Sequence, residues 1–254
     1  MPFQPVVLWT DALVYLLIVT VVAAFVYIRR REHLRQPWQR VGRSAPGMVG
    51  LVVLAFFVVF GLLDSLHFRA RLDAKDSAAR AAYAVEVTSV LDVLLRSLKE
   101  RPEKTYSAPL AYRQYSRETV ESPDGRQTRE YPRLRHGGAH LKAPESEWAA
   151  DVLRRALAGG ALGFIAWVGS AMLVCAGIAR RRETSVDRAW RALLDGELEL
   201  PWRAILVTLG CALVLAGVVA ALATRYHVLG TSKVGEDVLY QALKAMRTAL
   251  VIGT

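Results

Sequence analysis

The chain has 254 residues, 53% of them hydrophobic, a mean hydropathy of +0.25, and 33 lysines and arginines against 23 aspartates and glutamates for a formal net charge of +10. Apolar residues gathered into long runs rather than stripes exclude an ordinary water-soluble fold, because only a helix surrounded by lipid is apolar on every side. The basic excess does not mark a nucleic-acid partner either, since it is concentrated in two short segments that flank apolar runs.

Four uncharged runs, Ala12–Ile28, Pro46–Leu63, Gly159–Ala179 and Ala204–Thr224, predict membrane-spanning helices, each within or close to the roughly 17–25 residues needed to cross the hydrocarbon core. The first run lacks the basic start and small-residue cleavage site of a signal peptide and ends in Arg29, Arg30 and Arg31. Arg29, Arg30, Arg31, Arg35, Arg40 and Arg43 fill the short loop after the first span, and Arg180, Arg181, Arg182, Arg188 and Arg191 fill the one after the third. Arginine and lysine near helix ends resist translocation, so both loops belong in the cytoplasm and the amino terminus outside. Met1 to Thr10 carries no lysine or arginine, and Trp9 and Trp38 stand where aromatic belts form. Cys175 and Cys211 fall inside spans, which excludes a disulfide in the extramembrane part.

The same count places Asp64 to Ala158, about 95 residues, on the outer face, long enough for a small domain because domains begin at roughly 50 residues. Asp76 to Lys99 has apolar residues at helical spacing and predicts one amphipathic helix. Tyr112 to Val120 and Gln127 to Leu134 flank Ser122-Pro123-Asp124-Gly125, which fits a β-hairpin with a tight turn and equally fits a disordered polar stretch. From Glu145 a helix with Trp148, Val152 and Leu153 leads into the third span, and Val186, Trp190, Leu193 and Leu194 predict a short amphipathic helix within Glu183–Leu200, lying in the membrane interface before Pro201 opens the fourth span. The expected fold is therefore an all-α membrane protein with four transmembrane helices and an outer domain, divided as 1–63, 64–158, 159–224 and 225–254.

Catalytic motifs are missing: there is no phosphate loop, nucleophile elbow or zinc-protease helix. No cofactor, metal or enzymatic activity is expected. His136 and His140 are four apart, but Gly137 and Gly138 between them disfavour the helix that would aim both at one metal. The four apolar runs contain no carboxylate or lysine for a proton relay.

The last segment, His227-Val228-Leu229-Gly230-Thr231-Ser232-Lys233-Val234-Gly235-Glu236-Asp237-Val238-Leu239-Tyr240, resembles the pattern H-x-L-G-T-D-x-x-G-x-D-V-L of the second permease subunit in bacterial dipeptide, oligopeptide and nickel ABC importers. Ser232 replaces the family's aspartate and Glu236 its arginine, while Arg247-Thr248-Ala249-Leu250-Val251-Ile252-Gly253 is similar to R-x-S-L-x-x-G at the start of the next core helix. The resemblance covers roughly the last 50 residues and implies that His227, Gly230, Thr231, Gly235 and Asp237 form a structural or gating turn on the outer side. The charge bias requires the same side for that turn.

The resemblance further implies a place in the bacterial inner membrane, contact with lipid, and three protein partners: a homologous permease subunit, ATPase subunits and a periplasmic substrate-binding protein. Because the family's coupling loop comes later than Thr254, the sequence is expected to be the amino-terminal portion of such a permease, with substrate-binding residues not identified. Asp237 and the glycines would equally serve a capped turn before a helix, and the two roles are compatible. A function of another class, a non-transporting sensor or assembly protein acting through its outer domain, fits the same topology.

Overall fold

The structure, a computed structural model, describes residues 3–71, 83–121, 127–196 and 198–253. Four of its helices are long and apolar enough to cross a membrane: α1 (Trp9–Arg30), α3 (Ala45–Ser65), α6 (Pro144–Arg182) and α8 (Trp202–Ala223). At about 1.5 Å per residue the shortest of them reaches roughly 30 Å, the thickness of the hydrocarbon core. Their starts follow from local chemistry. The Ser44 hydroxyl accepts from the Gly47 N–H at 3.2 Å at the head of α3, and the Asp11 carboxylate accepts from the Leu8 N–H at 2.9 Å at the head of α1, each satisfying a donor that the helix leaves open.

Both basic segments are helical and lie on one side. The stretch after the first span, expected as a loop, folds into α2 (Glu32–Arg43), because Leu34, Trp38 and Val41 recur at helical spacing between its arginines. The second contains α7 (Val186–Asp195), as the sequence predicted, closed by Gly196 at φ +77°. Arg43 of α2 meets Glu199, beyond α7, at 3.5 Å across this face.

The opposite side is built from the termini and the long middle segment. Strand β1 (Phe3–Val6) pairs antiparallel with β2 (His67–Ala70), and β2 with β3 (Thr88–Ser89). Strands β4 (Glu118–Glu121) and β5 (Gln127–Glu130) form the expected antiparallel hairpin, in the register Glu118↔Glu130; the Ser122–Gly125 turn lies outside the described residues. These two small sheets correct the all-α expectation, although helix predominates.

The single amphipathic helix expected over Asp76–Lys99 is also corrected. Asp76 to Ala82 lies outside the described residues, residues 83–89 are non-helical, and helix appears only as α4 (Val90–Leu94) and α5 (Arg96–Lys99). Ser89 restarts the chain: its hydroxyl accepts from the Asp92 N–H at 3.0 Å while the Asp92 carboxylate accepts from the Ser89 N–H at 3.1 Å, a capping box that defines a new helix start.

Helix α6 runs unbroken from the side that carries the two sheets through the third apolar run, joining the helix expected from Glu145 to the third span. It packs on α8 through Gly159 and Gly163, where a Cβ would overlap the backbone carbonyls of Gly217 and Leu213. Small residues four apart let two membrane helices approach to backbone contact. Helix α9 (Val238–Ile252) follows the motif turn and packs against α1 and α3.

Candidate functional site

All five motif residues come together in one buried turn between α8 and α9. Gly230 at φ +78° and Gly235 at φ +80° occupy the left-handed region, which costs a side-chain-bearing residue about 1–2 kcal/mol. Space excludes a side chain as well, since a Cβ on Gly230 would overlap the Ser107 carbonyl oxygen and one on Gly235 that of Glu103. The turn is clamped to residues 103–110 by the Glu103 N–H donating to Gly235 O at 2.8 Å, the Leu110 N–H donating to His227 O at 2.9 Å, and the Thr231 hydroxyl bonding to Thr105 O at 2.8 Å and to Ser107 Oγ at 3.1 Å.

At its centre lies a carboxylate–imidazole–carboxylate chain. His227 Nδ1 is 2.7 Å from Asp237 Oδ2 and its Nε2 is 3.3 Å from Glu103 Oε1. Asp237 also caps α9, its other oxygen accepting from the N–H groups of Leu239 at 2.8 Å and Tyr240 at 3.3 Å. Glu103 accepts from the backbone N–H groups of Arg135, His136 and Gly137 at 2.8, 2.7 and 3.1 Å. Burial opposes charge on both groups. For His227 the bonds to Asp237 and Glu103 outweigh it and push the imidazole up to about 9, while the bonds from His227 and the three N–H groups hold the Glu103 carboxyl down at about 2. The charged forms of His227 and Glu103 are thus the stable ones at neutral pH.

A second network lies where α1, α3 and α9 meet the side that carries the sheets. Asp11 of α1 and Asp64 of α3 are fully buried. Arg247 of α9 sits between them, 3.1 Å from Asp11 Oδ1 and 3.2 Å from Asp64 Oδ2, an ion-pair distance without hydrogen-bond alignment at Asp64. His67 Nδ1 is 2.9 Å from Asp11 Oδ2, and the Ser89 hydroxyl donates to Asp64 at 2.9 Å. One turn earlier on α9, Lys244 and the Tyr240 hydroxyl donate to Asp92 Oδ1 at 2.8 and 2.7 Å. Burial would raise the Asp92 carboxyl, but those two donors and the Ser89 N–H bring it down to about 2.

Asp11 and Asp64 each fall one residue beyond the uncharged runs expected as spans, whereas the helices extend to Trp9 and Ser65 and include them. The helices therefore do carry carboxylates at the ends that adjoin β1 and β2. The signal lay in Tyr240, Lys244 and Arg247, a polar stripe at i, i+4, i+7 in an otherwise apolar helix. Glu103 had no sequence signal, since its partners are 32 or more residues distant.

His136 and His140 are used separately. His136 donates its backbone N–H to Glu103, and His140 places Nε2 2.7 Å from Asp151 while its ring meets Tyr226 edge-on. Asp151 also accepts from the Tyr226 hydroxyl at 2.9 Å and pairs with Arg154 and Arg155, fixing the first turns of α6 to the chain just after α8.

Chemically this arrangement holds position. His227 is 3% exposed, the gap beside it is too narrow to admit water, and each of its nitrogens faces a carboxylate. No family model, no curated protein and no solved structure matches the chain.

Proposed function

We propose that the chain is the amino-terminal part of an inner-membrane permease subunit of an ABC importer for peptides or nickel, forming part of the transmembrane pathway. One observation carries this: five of the residues shared with that family's motif, His227, Gly230, Thr231, Gly235 and Asp237, have defined positions in the turn that sets where α9 begins. A pathway-lining helix must start at a fixed height, and this turn supplies the fixing. The basic helices α2 and α7 face the cytoplasm, with the amino terminus and residues 64–158 outside. There the outer segment stands in reach of a substrate-binding protein, while a homologous permease and ATPase subunits complete the transporter.

Affinity purification from gently solubilised bacterial membranes tests the assignment. The tagged chain is expected to bring down a paired permease and an ATPase in stoichiometric amount. Recovery of the chain without either would refute the transport role and favour a sensor or assembly protein.

A further inference from the structure

We propose that the cleft between the end of α6 and α7 binds the headgroup of an anionic phospholipid. The cleft has a volume of about 290 Å³ and is lined by Arg182, Thr184, Arg188, Arg191 and Asp195, with Ile178 at its apolar end. At about 30 Å³ per water it has room for roughly ten waters, and so for a phosphate with its glycerol. Three guanidinium groups face one carboxylate. Among the described residues none of these three arginines forms an ion pair, and the one such pair on this face, Arg43 with Glu199, lies elsewhere. Guanidinium presents paired N–H donors that match two oxygens of a phosphate.

The surroundings select a lipid rather than a soluble anion. Ala189 and Leu193 are buried, and Leu193 packs with Ala171, Cys175 and Leu206 of the α6–α8 pair, which holds α7 against the membrane helices. The other side of α7 exposes Val186, Trp190 and Leu194, spaced four apart, the pattern of a helix lying in the interface with its apolar side in lipid. Met172 and Leu173, less than two turns before Ile178, are exposed on α6 where acyl chains would run. Acidic groups near the cleft are Glu183, Asp187 and Asp195, outnumbered by Arg180, Arg181, Arg182, Arg188 and Arg191. A basic pocket beside membrane helices is where anionic headgroups bind. The inference is independent of the importer assignment, requiring only that this face meet an anionic leaflet.

The test is native mass spectrometry of the full chain in detergent with equimolar phosphatidylglycerol and phosphatidylcholine of matched acyl chains. The wild type is expected to retain phosphatidylglycerol selectively. Arg182→Gln/Arg188→Gln/Arg191→Gln should weaken retention by roughly fivefold per arginine, about a hundredfold in all. The control Arg29→Gln/Arg30→Gln/Arg35→Gln, with the same charge change, should keep it. Equal retention of both lipids by the wild type overturns the proposal. So does equal loss in the two triple variants, which would mean diffuse attraction, or displacement of the lipid by millimolar inorganic phosphate, which would mean a free-anion site. Should the triple variant not fold, the exposed single changes Arg188→Gln and Arg191→Gln carry the same comparison against Arg35→Gln.

Discussion

Replacing Glu103 by glutamine keeps its shape and removes its charge. Oε1 accepts from the N–H groups of His136 and Gly137 and faces His227 Nε2, while Oε2 accepts from the Arg135 N–H. A glutamine must turn its NH2 toward one of these sets, so a donor always meets a donor. Removing one partner of a buried charged pair costs about 3–5 kcal/mol, and the orientation that faces only Arg135 sets the lower end of that range. The pH dependence should change too. His227 is raised from about 6.5 in the unfolded chain to about 9, so its stabilisation is fully present below about 6.5 and is lost as pH rises through 9. Across that interval it amounts to about 3 kcal/mol, at about 1.4 kcal/mol per unit. Asp237, the larger contributor, is untouched, so in Glu103→Gln the loss between pH 6.5 and 9 should shrink without vanishing and should finish at lower pH. Thermal unfolding in detergent, followed by tryptophan fluorescence from pH 5.5 to 9.5, reads both effects. An unchanged midpoint at pH 6, or an undiminished decline toward pH 9, would refute the triplet as the anchor of the turn.

Gly235→Ala should destabilise the protein by at least about 2 kcal/mol, combining left-handed strain with displacement of the Glu103 carbonyl; Gly169→Ala, with open space around it, should be neutral or stabilising, and thermal midpoints compare them. Arg247→Met removes the guanidinium between buried Asp11 and Asp64, leaving Asp11 with His67 and Asp64 with Lys244 at 3.7 Å, and should cost about 3 kcal/mol, seen as a lowered midpoint and faster proteolysis around α9. Acidification should leave the Glu103 and Asp92 contributions intact above about 4.5 and 3.8 and remove them as pH falls through about 2; tryptophan fluorescence that already reports loosening at pH 5 would contradict this. Single cysteines at Lys233 and Arg40, placed in a background with Cys175 and Cys211 replaced by serine, should react with an impermeant reagent from opposite sides of intact cells, Lys233 from outside. Labelling of both from one side would break the topology.

What the sequence made legible was whatever repeats locally. Four apolar runs and the amphipathic stripe of Val186–Leu194 each fix an element from neighbours a few residues away, and all appear in the structure; the segments flanking Ser122–Gly125 left a hairpin and a disordered stretch open, and the pairing of β4 with β5 decides for the hairpin. Asp76–Lys99 misled because its apolar spacing is helical while Ser89 and Asp92 together start a separate helix inside it. The motif was visible as a turn, with its glycines and Asp237, but its partner was not: Glu103 pairs with His227 124 positions away, and no period connects them. The carboxylates of α1 and α3 were hidden for a different reason. A hydropathy boundary stops at the first charge, whereas a helix continues past it when another helix brings a cation to meet it.

The two networks end on the same helix, and that determines how α9 is held. Its first residue is capped by Asp237, tied through His227 to Glu103; its first two turns are tied through Tyr240 and Lys244 to Asp92; its third turn is tied through Arg247 to α1 and α3. Apolar packing alone is non-directional and tolerates a slide of one turn, about 5.4 Å. Ion pairs do not, because the same slide would carry Arg247 away from Asp11 and Asp64 and break buried ion pairs, which costs several kcal/mol. Buried pairs add little to stability compared with apolar side chains of equal size, so what they contribute here is register. A displacement of the chain at Glu103 and a displacement of α9 against α1 and α3 are then coupled, because Asp237 and His227 join the start of α9 to Glu103.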